Sequence, residues 1–379
     1  MRIICLHQSA DLYGSDRSFL QVVEFLKGSG QFSQITVVLP RSGPLSEILE
    51  SLEVEVIFVE MSLLSKTYLK KFQWGKIIFP LLAFRKKLEL IKKYDILYVN
   101  TSVILDFYVL APFLKLKKMI HIREIPAKWL GKILSVLIAR SNSLVIFNSY
   151  STQQSFDRFQ NSMVIHNAFE GYDYSETSNN SETPDMTNPL KILLIGRINT
   201  WKGQDFVIRT LSKLAGENFR LRIVGSTAAG NEELLVQLRA LTNGLKLDSK
   251  IEFIEFAPDP SEEYKNADLV IVPSTKPEPF GRIAIEAMSV GKPVLAANHG
   301  GLPEIIVHGE NGFLFEPGNA DSFNEYLLKY LINRDLLLSH GIVSRALFLN
   351  KFSVDKMHKQ LGHAFFVDNI LNSEPNETI

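Results

Sequence analysis

The sequence predicts an α/β protein of two doubly wound domains, each a parallel sheet covered by helices. Short apolar runs with too few residues for helices alternate with longer amphipathic stretches along the whole chain. This alternation is typical of repeated strand–helix–strand units. One almost purely polar stretch, 171–189, interrupts the alternation, and the pattern then restarts. Because 379 residues are also many for one core, we expect two domains joined by a linker or exposed loop at 171–189.

In the first domain, 1–170, we expect a strand wherever a short apolar run is bounded by turn residues. A helix at 14–26 follows the loop after the first strand, and a basic, helical region at 66–93 follows the third strand. The predicted strands are 3–6, 35–39, 54–59, 96–99, 119–122, 144–147 and 163–165.

The second domain, 190–350, repeats the same alternation, with helices from about 204, at 232–241, from 281 and at 320–332. Two further helices, 334–350 and 353–369, follow the last strand. Ligands of doubly wound domains bind at the carboxyl ends of the strands, so candidate site residues are sought there. The predicted strands are 191–195, 220–224, 251–255, 268–272, 294–296 and 312–315.

The formal net charge of zero conceals an asymmetry between the two halves of the chain. Residues 1–170 contain 21 Lys and Arg against 14 Asp and Glu, and the remainder contains 20 against 27, so the halves carry +7 and −7. In the region 66–93, nine basic residues are interleaved with apolar and aromatic ones, and Glu89 is the one acid. This composition suits an anionic membrane surface. The alternative is a solvated helix whose apolar face is core; nucleic acid is disfavoured because no binding motif accompanies the charge.

The remaining composition indicates an ordinary globular protein of a reducing compartment. Cys5 is the only cysteine and cannot form an intrachain disulfide. The first apolar run is too short for a signal peptide, and no apolar run approaches the ~18 residues needed to span a bilayer. We therefore expect a cytoplasmic protein, peripheral on the inner face of the membrane.

The most informative stretch is 273–286, where a buried strand leads through a proline-rich loop into a helix. Pro273, Pro277 and Pro279 hold the loop extended, and Gly281 opens the helix. Backbone N–H groups and the positive end of the helix dipole then converge, which favours binding of a phosphate.

Glu278 and Glu286, eight positions apart, bracket this turn. Beside a phosphate, carboxylates are poor anion ligands but strong acceptors for sugar hydroxyls. The pattern thus indicates a nucleotide-sugar pocket, with ribose on one Glu and the transferred sugar on the other. Taken alone, such a pair is more often two surface acids; the flanking prolines, Gly281 and the later Gly300-Gly301 favour the pocket instead.

Arg197 and Lys202 flank the first turn of the second domain, where a strand ends and Gly203 begins the next helix. A guanidinium and an ammonium could neutralise the two charges of a nucleoside diphosphate. The alternative is two surface cations, because this spacing alone is weak evidence.

The segment 278–286, with the Gly-Arg and Lys-Gly elements at 196–197 and 202–203, resembles the paired-glutamate signature of retaining glycosyltransferases of family 4. The resemblance implies the GT-B fold, two Rossmann-like domains facing a central cleft. It also implies that the first domain binds the acceptor and the second the nucleotide sugar, and that the last helix, about 353–369, packs back on the first domain. The matching motifs are specific at about 190–320; the first domain resembles the family in topology and at scattered positions.

The resemblance also assigns roles to individual residues. Arg197 and Lys202 would hold the diphosphate, Glu286 the ribose hydroxyls and Glu278 the donor sugar, while His121 at a strand end would contact the donor sugar or steady developing charge. His121 could equally be structural. The loop 13–17 replaces the family's usual Gly-Gly and Glu by Tyr13-Gly14 and Asp16, which leaves the role of Asp16 open. The full set of expected donor-binding residues is Gly14, Arg197, Lys202, Gly225, Ser274, Glu278, Phe280, Gly281, Arg282, Ile283 and Glu286, with His121, Glu278, Arg197 and Lys202 also catalytic.

The expected chemistry is metal-independent transfer of a sugar from a nucleoside-diphosphate donor to a glycan or lipid-linked acceptor, with retention. No Asp-x-Asp motif for a diphosphate-bound metal and no Cys/His cluster for zinc occurs in the sequence, so we expect no cofactor and assign leaving-group stabilisation to cations and helix amides. Two carboxylates would also suit a glycosidase, but a hydrolase does not need a diphosphate clamp. A nucleotide-sugar epimerase, a phosphorylase and a non-catalytic nucleotide-sugar-binding protein remain as alternatives.

Overall fold

The computed structural model describes residues 1–64, 73–174, 186–227, 230–255 and 259–367. It divides into two compact units. The first comprises Met1–Asn167 together with the chain from Met357 onward, and the second comprises Ala168–Lys356. Residues 171–174 and 186–189 of the polar stretch fall within the second unit; its residues 175–185 are outside the described part, and the predicted linker stays a prediction.

The first unit is built on a parallel sheet of seven strands among the described residues, in the order β3-β2-β1-β4-β5-β6-β7. The order reverses between β1 and β4, whose pairing includes Ile4 with Leu97. Such a reversal opens a crevice at the carboxyl edge of a sheet. The strands are β1 (Arg2–Leu6), β2 (Gln34–Leu39), β3 (Glu55–Phe58), β4 (Ile96–Val99), β5 (Lys117–Ile122), β6 (Leu144–Phe147) and β7 (Ser162–Val164).

Helices cover both faces of this sheet because its right-handed crossovers run in two opposite directions. The helices that connect β1 to β2 and β2 to β3 lie on one face. The helices that connect β3 to β4, β4 to β5 and β5 to β6 lie on the other. Short 3₁₀ segments at Phe79–Ala83 and Ala111–Phe113 precede and follow regular helices. The helices are α1 (Gly14–Gly28), α2 (Pro44–Ser51), α3 (Gly75–Ile78), α4 (Phe84–Ile91), α5 (Leu105–Leu110), α6 (Lys128–Ser141) and α7 (Tyr150–Gln154).

The second unit repeats the design with a parallel sheet whose described strands follow the order β10-β9-β8-β11-β12-β13. Its reversal falls between β8 and β11, where Ile192 pairs with Leu269. The strands are completely apolar where they are central: every residue of β11 and of β12 is buried, as expected for a sheet covered on both faces. The strands are β8 (Leu190–Ile195), β9 (Phe219–Val224), β10 (Ile251–Ile254), β11 (Leu269–Val272), β12 (Val294–Ala297) and β13 (Gly312–Phe315).

In the part of the chain that the structure describes, three helices follow the last strand of this unit, β13. The last of them crosses the boundary between the units: its residues from Met357 belong to the first unit, where Phe365 contacts the rings of Phe25 and Tyr98. The helices are α8 (Gln204–Leu211), α9 (Glu233–Gly244), α10 (Ser261–Asn266), α11 (Arg282–Ser289), α12 (Leu302–Ile305), α13 (Ala320–Ile332), α14 (Asp335–Leu347) and α15 (Val354–Phe366).

Residues 66–72 of the basic region 66–93 lie outside the described range. In the rest, a 3₁₀ segment with Pro80 separates α3 from α4, and the structure corrects the place of one basic residue. Lys87 is not part of a basic surface. It is 7% exposed and its Nζ lies 2.7 Å from Oδ1 of Asp106, which is also buried.

Among the described residues, no helix combines the length and the apolar character that crossing a bilayer requires.

Candidate functional site

The candidate site lies at the carboxyl edge of the second sheet, where three loops meet. They follow β8 (196–203), β11 (273–281) and β12 (298–301). Because all strands of this sheet are parallel, their carboxyl ends lie at one edge. The strand order reverses between β8 and β11, so the loops after these two strands lead away in opposite directions and flank a crevice. The loops touch through main-chain hydrogen bonds: the N–H of Thr275 donates to the carbonyl of Trp201 at 2.7 Å, and that of Gly301 to the carbonyl of Glu278 at 2.8 Å.

Glycines permit this close approach. A Cβ on Gly203 would lie 2.1 Å from the carbonyl oxygen of Pro273, and one on Gly300 would lie 2.3 Å from that of Glu278. Both glycines also have positive φ, +84° and +64°, which other residues rarely adopt. Glycine is therefore required at positions 203 and 300, because a side chain there would prevent the two backbones from touching.

A second pair of glycines brings the Arg197 loop to the start of α11. A Cβ on Gly225 would lie 2.0 Å from the carbonyl oxygen of Gly196, and one on Gly196 would lie 3.1 Å from Cδ1 of Ile283. The backbone at Gly196 thus fills the space between β9 and the first turn of α11. Arg197, the next residue, is exposed at this edge.

Lys202 and Glu278 form an ion pair between two of the loops. Lys202 Nζ lies 2.6 Å from Glu278 Oε1, and the two side chains are 17% and 9% exposed. The side-chain oxygen of Asn199 accepts hydrogen bonds from the N–H groups of Trp201 and Lys202 and so fixes the turn that carries the lysine. The ammonium also lies 4.8 Å from the centroid of the Trp201 ring. The structure therefore joins two of the predicted residues directly.

Ser274 and His299 complete the surroundings of Glu278. Ser274 Oγ donates to Glu278 Oε1 at 2.5 Å, so this oxygen receives both the ammonium and the hydroxyl. His299 Nε2 donates to the carbonyl of Ser274 at 2.7 Å. Sequence reasoning missed His299, although its place between a strand end and Gly300 was a usable signal.

Glu286 is held by groups on two helices. The hydroxyl of Tyr264 on α10 donates to Glu286 Oε2 at 2.7 Å, and Arg282 Nη2 lies 3.4 Å from Oε1. Burial raises the pKa of Tyr264 well above its usual value, and the Glu286 carboxylate acts in the same direction. Tyr264 therefore remains a hydrogen-bond donor that orients the carboxylate. Sequence reasoning missed it because no helix was predicted at 261–266.

The helix start at Gly281 has the predicted form. Gly281 precedes α11 with φ +115°, and the N–H of Ala284 donates to the carbonyl of Gly281 at 2.9 Å, which closes the first turn. Arg282 and Ile283 begin the helix as expected. The side chain of Phe280 is 2% exposed and lies 5.9 Å from the Phe352 ring, among the core residues of the second unit; the role of Phe280 in donor binding stays a prediction.

In the first unit, His121 belongs to a buried polar network. It precedes the last residue of β5, its side chain is 1% exposed, and its Nδ1 lies 2.8 Å from the Tyr98 hydroxyl and 3.2 Å from Arg123 Nη2. Arg123 continues the network through Asn100 to His7. Within the described residues, His121 Nε2 is buried without a hydrogen bond. This placement favours the structural interpretation, and a catalytic role for His121 stays a prediction.

The loop 13–17 gives Asp16 a clear structural role. Its carboxylate is 1% exposed, lies 2.7 Å from His7 Nε2 and accepts a hydrogen bond from the N–H of Tyr13 at 2.8 Å. Asp16 thereby closes the first turn of α1 and joins it to β1. Gly14 is exposed at the helix start, and its role in donor binding stays a prediction.

The two buried histidines predict that the protein loses stability as pH falls below about 6.5. Burial lowers the pKa of His7, although Asp16 opposes the shift, and burial together with Arg123 lowers that of His121 well below its usual value. The unfolded chain therefore takes up protons from about pH 6.5 downward, whereas the folded chain does so at lower pH. The stabilisation is complete above that value and decreases by up to about 1.4 kcal/mol per pH unit and histidine below it.

Urea unfolding at about pH 7.5 and 5.5 measures this loss. The variant His121→Gln should show a smaller difference between the two pH values than the unsubstituted protein. An identical difference in both proteins would contradict a titration of His121.

Two solved structures share the fold of this chain. The chain matches the crystal structure of Anabaena Alr3699/HepE in complex with UDP with a TM-score of 0.81, at 24% identity, over 96% of this chain and 99% of that one. It matches sucrose-phosphate synthase from Thermosynechococcus elongatus with a TM-score of 0.76, at 16% identity, over 96% and 98%. At these identities the likeness shows the fold alone, and the predicted GT-B fold is confirmed.

A family model matches part of the second unit. Residues 176–342 match the family described as Glycosyl transferases group 1. The chain is 38% identical over 133 residues to an uncharacterized glycosyltransferase of Methanocaldococcus jannaschii, covering 35% of this chain and 33% of the relative. It is 31% identical over 177 residues to the D-inositol 3-phosphate glycosyltransferase of Corynebacterium jeikeium, covering 44% and 41%. The matches thus span a third to less than half of these curated relatives, and membership of family 4 stays a prediction.

Proposed function

We propose that the protein is a retaining, metal-independent glycosyltransferase that moves a sugar from a nucleoside-diphosphate sugar to a glycan or lipid-linked acceptor, in the synthesis of a bacterial surface polysaccharide. The observation that carries the proposal is the Lys202–Glu278 pair beside the start of α11. A cation, a helix N-terminus and two oriented carboxylates on one sheet edge suit a diphosphate and two sets of sugar hydroxyls. UDP is the favoured nucleotide, because HepE was crystallised with UDP-glucose.

In this mechanism the second unit binds the donor. Arg197 and Lys202 neutralise the diphosphate, Glu286 accepts hydrogen bonds from the ribose, and Glu278 accepts them from the transferred sugar. The bond from the anomeric carbon to the phosphate oxygen breaks while a bond to the acceptor oxygen forms on the same face. The acceptor's proton passes to the departing phosphate oxygen, so the step needs no protein nucleophile.

Two measurements test this function. Calorimetric titration with a panel of UDP- and GDP-sugars identifies the donor, and a product assay with and without candidate acceptors identifies the reaction. Transfer to an acceptor, or slow hydrolysis of the donor without one, supports the proposal. Release of an altered nucleotide sugar would identify an epimerase, and binding without any turnover would identify a non-catalytic binding protein.

Chelation tests the proposed independence of metal ions. Because cationic side chains and helix amides are assigned the leaving-group charge, transfer in EDTA is expected to stay within about twofold of transfer in Mg²⁺. A loss that is restored by Mg²⁺ or Mn²⁺ would contradict this part of the proposal.

An anionic membrane surface is the proposed partner of the first unit. In the described part of the basic region, Arg85, Lys86, Lys92 and Lys93 are exposed, and Trp74, Phe79 and Leu82 expose 50%, 68% and 78% of their surfaces. Basic and apolar side chains together suit the headgroup layer.

A further inference from the structure

Helix α6 has two apolar faces, whereas a surface helix of a globular protein needs one. The inner face packs into the core of the first unit through Leu134 and Ile138, which are 2% and 1% exposed. The outer face carries Trp129, Ile133 and Val136, which are 65%, 51% and 51% exposed. The positions i, i+4 and i+7 place these three side chains in one row along the helix.

The outer row groups three exposed apolar side chains on one helix. Helix α13, for comparison, exposes Asp321 and Glu325 along its length and one large apolar residue, Ile332, at its end. Helix α6 contains no acidic residue, and its exposed Lys128, Lys132 and Arg140 flank or extend the apolar row. Between Asp106 and Asp157 the sequence has seven Lys and Arg and one acid, Glu124.

The neighbouring elements extend the same surface. Helix α6 packs on α5 and on the 3₁₀ turn after it, and α5 packs on α4, because the crossovers from β3 to β6 lie on one face of the sheet. On this layer Val109 is 41% and Phe113 58% exposed, and Phe113 contacts the Phe84 ring of α4 at 5.3 Å. The exposed basic residues of the layer are Arg85, Lys86, Lys92, Lys93, Lys115, Lys128, Lys132 and Arg140.

We infer that α6 is the element that inserts into an anionic lipid bilayer, with its outer row in the headgroup layer. The inference rests on the membrane partner proposed above and adds residues outside 66–93 to it. Trp129 is suited to the interface by its large amphipathic ring, and the lysine stems reach back to the phosphates. A second protein surface would need acidic groups opposite these cations, whereas anionic lipid supplies them over the whole layer.

Flotation with vesicles tests the inference on the full chain. The variant Trp129→Gln/Ile133→Gln/Val136→Gln removes the outer row while keeping helix formers at exposed positions. The matched control, Val236→Gln/Ile332→Gln/Ile342→Gln, replaces three residues of the second unit that are 64%, 73% and 62% exposed. With phosphatidylcholine vesicles containing about 30% phosphatidylglycerol, the first variant should lose at least about tenfold in bound protein, and the control should not change.

Flotation of the α6 variant equal to that of the unsubstituted protein would overturn the inference. If reversal of Lys86, Lys92 and Lys93 to Glu then abolished flotation, the membrane partner would stand and the role of α6 would fall. A lower oligomer mass of the α6 variant with unchanged flotation would instead identify a second copy of the chain as the occupant. If the unsubstituted protein did not float with the vesicles, both the membrane partner and the role of α6 would be overturned. Titration with UDP would test the nucleotide site independently of this result.

Discussion

Replacement of Lys202 by Ala is expected to lower sugar transfer by about a hundred- to a thousandfold, because it removes a cation assigned to the departing diphosphate. The side chain is mostly buried and its ammonium is fixed by Glu278 and by the turn at Asn199, so a water molecule is a poor substitute. The variant also leaves the mostly buried Glu278 carboxylate without its cation, so transfer is compared at a temperature at which urea unfolding shows the variant to be folded. Lys213→Ala is the control, since Lys213 is an exposed lysine of the same unit that pairs with Asp321. Normal transfer by the Lys202 variant would refute the site assignment.

Glu278→Gln is expected to separate the two functions of this pair. Transfer should fall, because the glutamine no longer offers a charged acceptor to the sugar hydroxyls. UDP without a sugar should bind roughly three- to tenfold more tightly, because its phosphates no longer compete with a carboxylate for the Lys202 ammonium. Calorimetry with UDP measures this directly. Weaker UDP binding by the Glu278 variant would show that the carboxylate does not compete with the phosphates.

Lys87→Met is expected to destabilise the first unit by about 3–5 kcal/mol, since it leaves Asp106 as a buried charge without its cation. All three protons of the ammonium have acceptors: Asp106 Oδ1 at 2.7 Å and the carbonyls of Glu60 and Pro80 at 2.7 and 2.9 Å. The other oxygen of Asp106 accepts from the N–H of Ser62 at 2.6 Å. Urea unfolding followed by fluorescence measures the loss.

Two further variants make this result interpretable. Lys92→Met removes an exposed lysine next to the same helix and should change the free energy of unfolding by less than about 0.5 kcal/mol. Lys87→Met/Asp106→Asn removes both charges and keeps an acceptor for Ser62, so it should recover much of the lost stability. Equal losses in the Lys87 and Lys92 variants would mean that the buried pair contributes little.

The sequence predicted the strands well because buried parallel strands are short, uniformly apolar runs between turn residues. β4 and β6 have the predicted bounds, and helix α13 does as well. The short helices α2 and α10 were not predicted, since one or two turns give too few residues for a period to be recognised. Helix α2 did carry a start signal, Gly43 followed by Pro44.

The candidate site was predictable as far as local pattern extends. Gly281, Glu278 and Glu286 lie in one segment whose spacing indicates its chemistry, whereas the partners of these groups come from elsewhere in the chain. Lys202 is 76 positions from Glu278 and Tyr264 is 22 from Glu286, and no periodicity reports such contacts. The same limit applies to Lys87, whose buried partner Asp106 is 19 positions away along the chain. It also explains α6, because an apolar period does not distinguish a core face from an exposed one.

The glycine contacts of the second unit constrain how this pocket can diverge between related proteins. Where Gly203 meets Pro273 and Gly225 meets Gly196, main chain lies against main chain, and no side chain can be exchanged there to change the depth of the pocket. If the site binds a sugar as proposed, we expect a change of donor preference to use side chains beside this backbone, such as Ser274 and His299. The main-chain contacts are expected to stay the same while such side chains vary.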